Sequence, residues 1–280
     1  MGLCFGVRDA LAHARAQDDP ERIAIHGELV HNEVILDDLR ARGFTLRDES
    51  RRGEFPPEPK VMITAHGISD RERARLEEAG KELIDTTCPL VRRVHRDAQR
   101  LARDGRFVVV IGRPGHVEVD GIVGDLDHCD VVCRPEDSRT YEADRIGVIC
   151  QTTTAPVQAR RVLEAIEREN PHADVKFVST MCRPTLDRQA ALQKLLGRVD
   201  GLVVVGGQRS NNTRRLAERA RSQGVPSVHV WDPRQLDPAW LNRFEVIGLT
   251  AGTSTPDELI DAVEARIKQL VPEAKSESVA

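Results

Sequence analysis

The sequence predicts an α/β protein made of three copies of one unit, each with a small parallel sheet. Two observations carry that reading. Short apolar runs alternate with amphipathic stretches of about 10–15 residues, the pattern of βαβ units. A cysteine-centred stretch also occurs three times. In Ile84-Asp85-Thr86-Thr87-Cys88-Pro89-Leu90-Val91 an apolar run stops at small polar residues, and Pro89 opens a helix. Proline is favoured at that first helical position because its missing N–H costs nothing there. Lys176-Phe177-Val178 runs into Cys182 in the same way, and Arg183-Pro184 opens the next helix. Near the N-terminus, Cys4 in Gly2-Leu3-Cys4-Phe5-Gly6-Val7 precedes a helix through about Ala16. Each cysteine thus falls at the sheet edge where open parallel sheets keep their chemistry.

The repeat extends past the cysteines. Apolar strands Arg22–Ile25, Phe107–Ile111 and Leu202–Val205 end in loops holding His31-Asn32, His116-Val117-Glu118 and Ser210-Asn211-Asn212. His31, His116 and Ser210 stand 27, 28 and 28 residues past their cysteines. A second strand in each unit ends at His66, at Gln151-Thr152 and at Ser254, which stand 62, 64 (Thr152) and 72 residues past the same cysteines. The expected units are 1–88, 89–180 and 181–280, the last with a polar tail that frays from about Pro272.

The elements follow in order. The first unit reads as helix, strand, a helix over about Asn32–Ala41, a short strand Phe44–Leu46 and a charged loop at Pro56-Pro57. Strand Val61–Thr64 follows, then a helix capped by Ser69 and stopped by Gly80. The second unit runs from the Pro89 helix through Cys129–Cys133 to strand Ile146–Cys150 and a helix over about Ala155–Asn170. The third runs from Thr185 through strands Val228–Trp231 and Phe244–Leu249 to a helix from Pro256. Strands lead into Cys88 and Cys182, but only three residues precede Cys4.

Composition excludes several classes. The net charge of the 280 residues is −4, so no strong nucleic-acid or membrane field is implied. Aromatics at 3% argue against base-stacking surfaces. No apolar run approaches the ~20 residues of a membrane span. No basic-then-apolar leader is visible, so a cytoplasmic protein is expected. Six cysteines there point to metal binding or catalysis before disulfides.

Three thiols in equivalent polar slots leave three readings open. They are buried small hydrophobes, three ligands to a cubane iron–sulfur cluster with one iron open, or three ligands to zinc with one position open. An electron-transfer cluster uses four cysteines, so three point to a site that binds substrate. Cys129, Cys133 and Cys150 read as buried structural thiols. His31, His66 and His116 fall at strand C-termini, where clustered imidazoles can hold anionic oxygens and relay protons. The other six histidines (His13, His26, His95, His128, His172 and His229) read as packing or surface residues. Ser210-Asn211-Asn212-Thr213 and Ser254-Thr255-Pro256 read as helix N-caps whose spare N–H groups suit phosphate. Glu118 is the candidate acid.

With these residues in view, the chain resembles the LytB/IspH family over nearly its whole length. The resemblance rests on GLCFGV at Cys4, LVHN at His31, TAHG at His66, DTTCPLV at Cys88, GHVEVDG at His116, QTT at Gln151, MCRPTLDRQ at Cys182, GGQRSNNTRRLAE at Ser210 and TAGTSTPDE at Ser254. It implies a trefoil of three pseudo-threefold-related α/β units around a central [4Fe-4S] cluster. The implied activity is reduction of 4-hydroxy-3-methylbut-2-enyl diphosphate to isopentenyl and dimethylallyl diphosphates, the last step of the non-mevalonate isoprenoid pathway. It implies that Cys4, Cys88 and Cys182 hold the cluster. His31, His66 and His116 would line the substrate pocket, with Ser210, Asn211, Asn212 and Ser254 on the diphosphate. Thr152 would sit by the substrate hydroxyl and Glu118 would donate the proton. A ferredoxin or flavodoxin would supply electrons, with no nucleic-acid or membrane partner. The chain departs from the family's pattern in Val117, Asp120 and Ile122 around Glu118, in Asn211 for a serine, and in lacking the strand before Cys4 that would join the third sheet. Two other readings remain at this point. A quinolinate-synthase-like enzyme would also use three α/β units and three cysteines. A metal-binding or iron-sensing module would not need a diphosphate cradle.

Overall fold

The computed structural model describes residues 2–271 and, as backbone, the strand at 275–278. It contains three four-stranded sheets in which every pairing is parallel. The first comprises β1 (Ile23–Ile25), β2 (Thr45–Leu46), β3 (Lys60–Ile63) and β4 (Glu82–Asp85), in the order β2-β1-β3-β4. The second comprises β5 (Phe107–Ile111), β6 (Cys129–Val132), β7 (Arg145–Cys150) and β8 (Asp174–Phe177), in the order β6-β5-β7-β8. The third comprises β9 (Gly201–Val205), β10 (Ser227–Val230), β11 (Val246–Ala251) and β12 (Lys275–Ser278), in the order β10-β9-β11-β12. One strand order thus occurs three times, as the sequence repeat predicts. The central strands read FVVVI and GLVVV because both faces are covered by helices, which removes the alternation of a half-exposed strand.

The chain divides into two compact units. The larger, residues 9–29 and 42–186, holds the first two sheets. Its helices include α3 (Asp70–Glu78), α4 (Pro89–Arg103), α5 (Val117–Val123) and α6 (Pro156–Glu169). In α4 the residues Val91, Val94, Ala98 and Leu101 form one buried stripe. Gly147 of β7 lets that stripe lie close, because a Cβ there would come within 3.0 Å of Leu101. Burying each such Val or Leu side chain contributes about 1.5–3 kcal/mol.

The smaller unit, residues 1–8, 30–41 and 187–280, holds the third sheet, α2 (Glu33–Ala41), α8 (Asn211–Ser222), α9 (Pro238–Leu241) and α10 (Asp257–Leu270). Helices α1 (Phe5–Arg15) and α7 (Arg183–Leu196) each have residues in both units. Leu195, Leu196 and Val199 pack with Leu202, Val204 and Leu216 on one side of the sheet, and Leu259, Ile260 and Val263 with Val203 and Val205 on the other. No helix among the described residues is long and apolar enough to cross a membrane.

Two expectations are corrected here. Glu118 was placed on a loop, but it stands in the first turn of α5, with His116 as N-cap. The edge of the third sheet was expected to lack its strand and the tail to fray. Instead β12 runs parallel to β11, with Val246 beside Lys275 and Leu249 beside Ser278. It occupies the place that β4 and β8 hold in their own sheets. The rest of the tail, 272–274 and 279–280, lies outside the described residues.

Candidate functional site

The three repeated cysteines are presented alike. The Cys4 N–H donates to Thr253 O at 2.9 Å, the Cys88 N–H to Ala65 O at 3.1 Å and the Cys182 N–H to Thr152 O at 2.9 Å. Each acceptor lies just past the second central strand of a sheet, and each cysteine lies at the start of a helix. All three are half-buried. This pairing corrects the sequence count by one residue. Thr152 is the counterpart of Ala65 and Thr253, so His66 aligns with Thr153 and with Ser254.

The other cysteines differ. Cys150 is buried and its thiol is pushed up to about 12 by desolvation alone. Cys129 and Cys133 are half-buried, not enclosed as expected, because β6 is an edge strand that ends at Val132. Burial, and then the Asp130 charge, push the Cys129 thiol up.

In the larger unit, His66 and His116 meet edge to face, with ring centroids 5.7 Å apart. Gly67 turns the chain directly after His66 at φ +74°, a left-handed conformation suited to glycine. The His116 Nδ1 accepts from the Glu118 N–H at 3.2 Å and so caps α5, which assigns the ring proton to Nε2. Glu118 is 2% exposed. Its Oε1 accepts from the Thr152 N–H at 2.6 Å and its Oε2 from the Thr152 hydroxyl at 2.9 Å. Thr152 is therefore joined at once to the carboxylate and, through its carbonyl, to Cys182. The back of α5 is tight: a Cβ at Gly121 would lie 3.4 Å from both His95 and Ile68. Asp120, on the same helix, has its carboxyl pushed up by burial against the pull of Arg52.

In the smaller unit, Glu33 at the start of α2 accepts from the Gln208 N–H at 3.1 Å and the Arg209 N–H at 3.3 Å. Gly207 lies against the His31 carbonyl, where a Cβ would come within 2.5 Å. These contacts bring the His31 loop to the Ser210 loop. Ser210 caps α8: its Oγ accepts from the Thr213 N–H at 3.3 Å and the Thr213 hydroxyl at 2.9 Å. Asn212 Nδ2 donates to Thr253 Oγ1 at 3.4 Å, which joins that loop to the one holding Ser254. The Ser254-Thr255-Pro256 stretch opens a helix as the sequence predicts, but Ser254 is not itself the N-cap. It sits in a turn before Pro256, the N-cap of α10, while the Thr255 hydroxyl donates to Val205 O. The Asn211 side chain lies outside the described residues.

Three further positions bear on the two units. Gln151 is fully buried and its Oε1 accepts from the Arg113 N–H at 3.2 Å. Arg188 donates to Gly2 O at 3.1 Å and lies beside Cys4 and Asp257. His26 is 1% exposed with Nε2 at 3.3 Å from Glu72 Oε1. Gln151 and Arg188 lie inside the QTT and MCRPTLDRQ motifs without a role of their own, and the burial of His26 agrees with its reading as a packing residue.

The donor set fits an iron–sulfur cluster. Among the described residues no three His, Cys, Asp or Glu side chains are close enough to share one metal ion. A cubane holds its thiolates further apart than one ion does. What bears on it is the presentation of each sulfur, and three half-buried thiols held by one repeated amide bond meet that need.

Comparison with known proteins gives the family. The chain is 34% identical over 279 residues to the 4-hydroxy-3-methylbut-2-enyl diphosphate reductase of Marinobacter nauticus, spanning 96% of this chain and 88% of that protein. It is 34% identical to the reductase of the same name from Zymomonas mobilis, over 97% of this chain and 81% of that one. Its structure is similar to that of the Plasmodium falciparum E-1-hydroxy-2-methyl-but-2-enyl-4-diphosphate reductase, with a TM-score of 0.89 and 25% identity over 99% of this chain and 88% of that one. A second solved structure, an (E)-4-hydroxy-3-methyl-but-2-enyl diphosphate reductase, matches with a TM-score of 0.66 and 32% identity over 96% of each chain. Residues 1–268 match the family described as LytB protein, and the chain belongs to that family.

Proposed function

We propose that this chain is an iron–sulfur oxidoreductase that reduces (E)-4-hydroxy-3-methylbut-2-enyl diphosphate to isopentenyl and dimethylallyl diphosphates, the terminal step of the non-mevalonate pathway. The observation that carries the reading is the repeated amide bond that presents Cys4, Cys88 and Cys182 alike, with a buried Glu118 fastened to Thr152 beside one of them. In this reading the three expected units are 1–88, 89–180 and 181–280, with Cys4 and Cys88 near the two ends of the first and Cys182 at the start of the third. Cys4, Cys88 and Cys182 hold a [4Fe-4S] cluster. The cluster, when bound, supplies electrons and an open iron as Lewis acid.

The chain's own residues do the rest. Ser210, Asn211, Asn212 and Ser254 bind the diphosphate, where backbone N–H groups at the start of α8 add to the side chains. His31, His66 and His116 line the pocket and face anionic oxygens. The reaction breaks the allylic C–O bond and forms a C–H bond. It consumes two electrons and two protons and releases water. Glu118 holds one proton at the departing oxygen and Thr152 relays it, since its hydroxyl already touches Oε2. Burial of Glu118 keeps bulk water from competing. A ferredoxin or flavodoxin serves as electron donor, and the enzyme works in the cytoplasm.

The test is anaerobic reconstitution with iron and sulfide, followed by electronic spectra and turnover with an artificial reductant. Serine at Cys4, Cys88 or Cys182 should abolish cluster loading, and serine at Cys129, Cys133 or Cys150 should leave it largely intact. A colourless protein that takes up only zinc would overturn the reading.

A further inference from the structure

Helix α4 begins at Cys88 and carries an unusual charge. Its exposed face presents Arg92, Arg93, Arg96, Arg100 and Arg103, against the single acid Asp97. The side chains of Arg92, Arg93 and Arg100 are 49%, 60% and 55% exposed. The chain as a whole has a net charge of −4, so this basic face stands against an acidic background. Internal pairing does not use it up. Asp97 takes Arg93 and Arg100, and Asp85 takes Arg92 together with Arg73. Among the described residues Arg96 and Arg103 form no ion pair.

A concavity of about 300 Å³ opens at the Cys88 end of this face, lined in part by Arg73, Arg92, Arg96, Thr87 and His95. Thr87 is 8% exposed and adjoins Cys88 in the chain. Its Oγ1 and the His95 Nε2 are both buried.

We propose that this face of α4 and the adjoining concavity form the docking surface for an acidic, one-electron carrier protein. The proposal rests on the cluster reading above, since the surface leads through Thr87 to Cys88. Each reduced carrier docks, loses one electron to the site and leaves oxidised, so two encounters supply the two electrons, while the two protons are drawn ultimately from solvent, one of them by way of Glu118. Charge complementarity suits such a carrier. Redox encounters bury little area and must release quickly. Exposed arginines raise the encounter rate more than they raise affinity.

The experiment compares two reductants on the cluster-loaded enzyme: a reduced acidic ferredoxin, and dithionite. In the variants Arg96→Glu and Arg96→Glu/Arg103→Glu, kcat/KM with ferredoxin should fall by about ten- to a hundredfold at low salt. Its salt dependence should flatten. Turnover with dithionite and the cluster spectrum should not change, and Arg96→Lys should behave as the wild type. Ferredoxin kinetics unchanged by charge reversal would overturn the proposal. Equal loss with both reductants would overturn it too, since the arginines would then be holding Cys88 in place. A wild-type protein inactive with dithionite would instead remove the cluster reading on which the surface depends.

Discussion

The amide and the hydroxyl of Thr152 both bind one carboxylate, that of Glu118, at 2.6 and 2.9 Å. Two donors on a carboxylate favour its charged form. To carry a proton, Glu118 must have the Thr152 hydroxyl turn, so that Oε2 donates and Oγ1 accepts. In the proposed mechanism the pair would then act as a two-state relay built on one hydroxyl rotor. Glu118→Gln keeps both contacts, because its Oε1 can accept from the amide and its Nε2 can donate to Oγ1. It should load the cluster and bind substrate as before, while turnover falls by about 10²–10⁴-fold. Steady-state kinetics with dithionite and a substrate titration of the oxidised cluster check this. A rate near wild type would pass the proton to the histidines or to the substrate's own diphosphate.

The second prediction concerns pH. His26 is held down to about 4 from an ordinary 6.5, first by burial and then by the Arg52 charge, against the pull of Glu72. Arg75 lowers it further. Between those pH values the unfolded chain binds a proton that the folded chain does not. Stability is then full above about 6.5 and falls as pH drops toward about 4. Urea denaturation at pH 7.5 and pH 5 should show lower stability at the acid value, and His26→Gln should remove part of that difference. An equal pH dependence in the variant would show that carboxylates alone cause it.

Much of this was legible because chemistry repeats. A cysteine before a helix, found three times, located all three amide-bonded junctions. What failed was local. α5 is seven residues long and valine-rich, so propensity reads Val117-Glu118-Val119 as loop or strand. The His116 cap and the close seat of Gly121 against Ile68 and His95 make it a helix. Counting along the chain could not tell which residue offers its carbonyl to a cysteine, hence the shift of one at Thr152. Lys275-Ser276-Glu277-Ser278 carries no strand pattern, and its pairing answers the open edge of β11.

That edge yields the third prediction. Without β12, β11 would present unpaired N–H and C=O groups, which invites association with other chains. Truncation after Leu270 should lower the melting temperature by about 2–4 °C for each kcal/mol lost and should promote aggregation. Differential scanning calorimetry and light scattering measure both. An unchanged melting temperature would mean that the strand contributes nothing to the sheet.

The last prediction concerns how Cys4 is held. Among the described residues no strand leads into it, as β4 and β8 lead into Cys88 and Cys182. Its segment is fixed by other means. The Cys4 amide is bonded to Thr253 O, and Arg188 donates to Gly2 O at 3.1 Å. Gly2 itself, at φ +94°, lies so close to the Asp257 carboxylate that a Cβ would overlap it. Burial lowers the Arg188 guanidinium from its ordinary value, and the neighbouring Cys4 and Asp257 oppose that shift, so the cation stays beside the sulfur. Removing a group that orients a metal ligand typically weakens metal affinity by about 10–100-fold. Arg188→Met should therefore release iron to a chelator about 10–100 times faster than wild type, while Arg188→Lys, which keeps a charge, should fall between them. Iron release followed by absorbance under anaerobic conditions gives the rate without any need for turnover. Release at the wild-type rate from Arg188→Met would show that the Thr253 carbonyl holds the Cys4 segment without help.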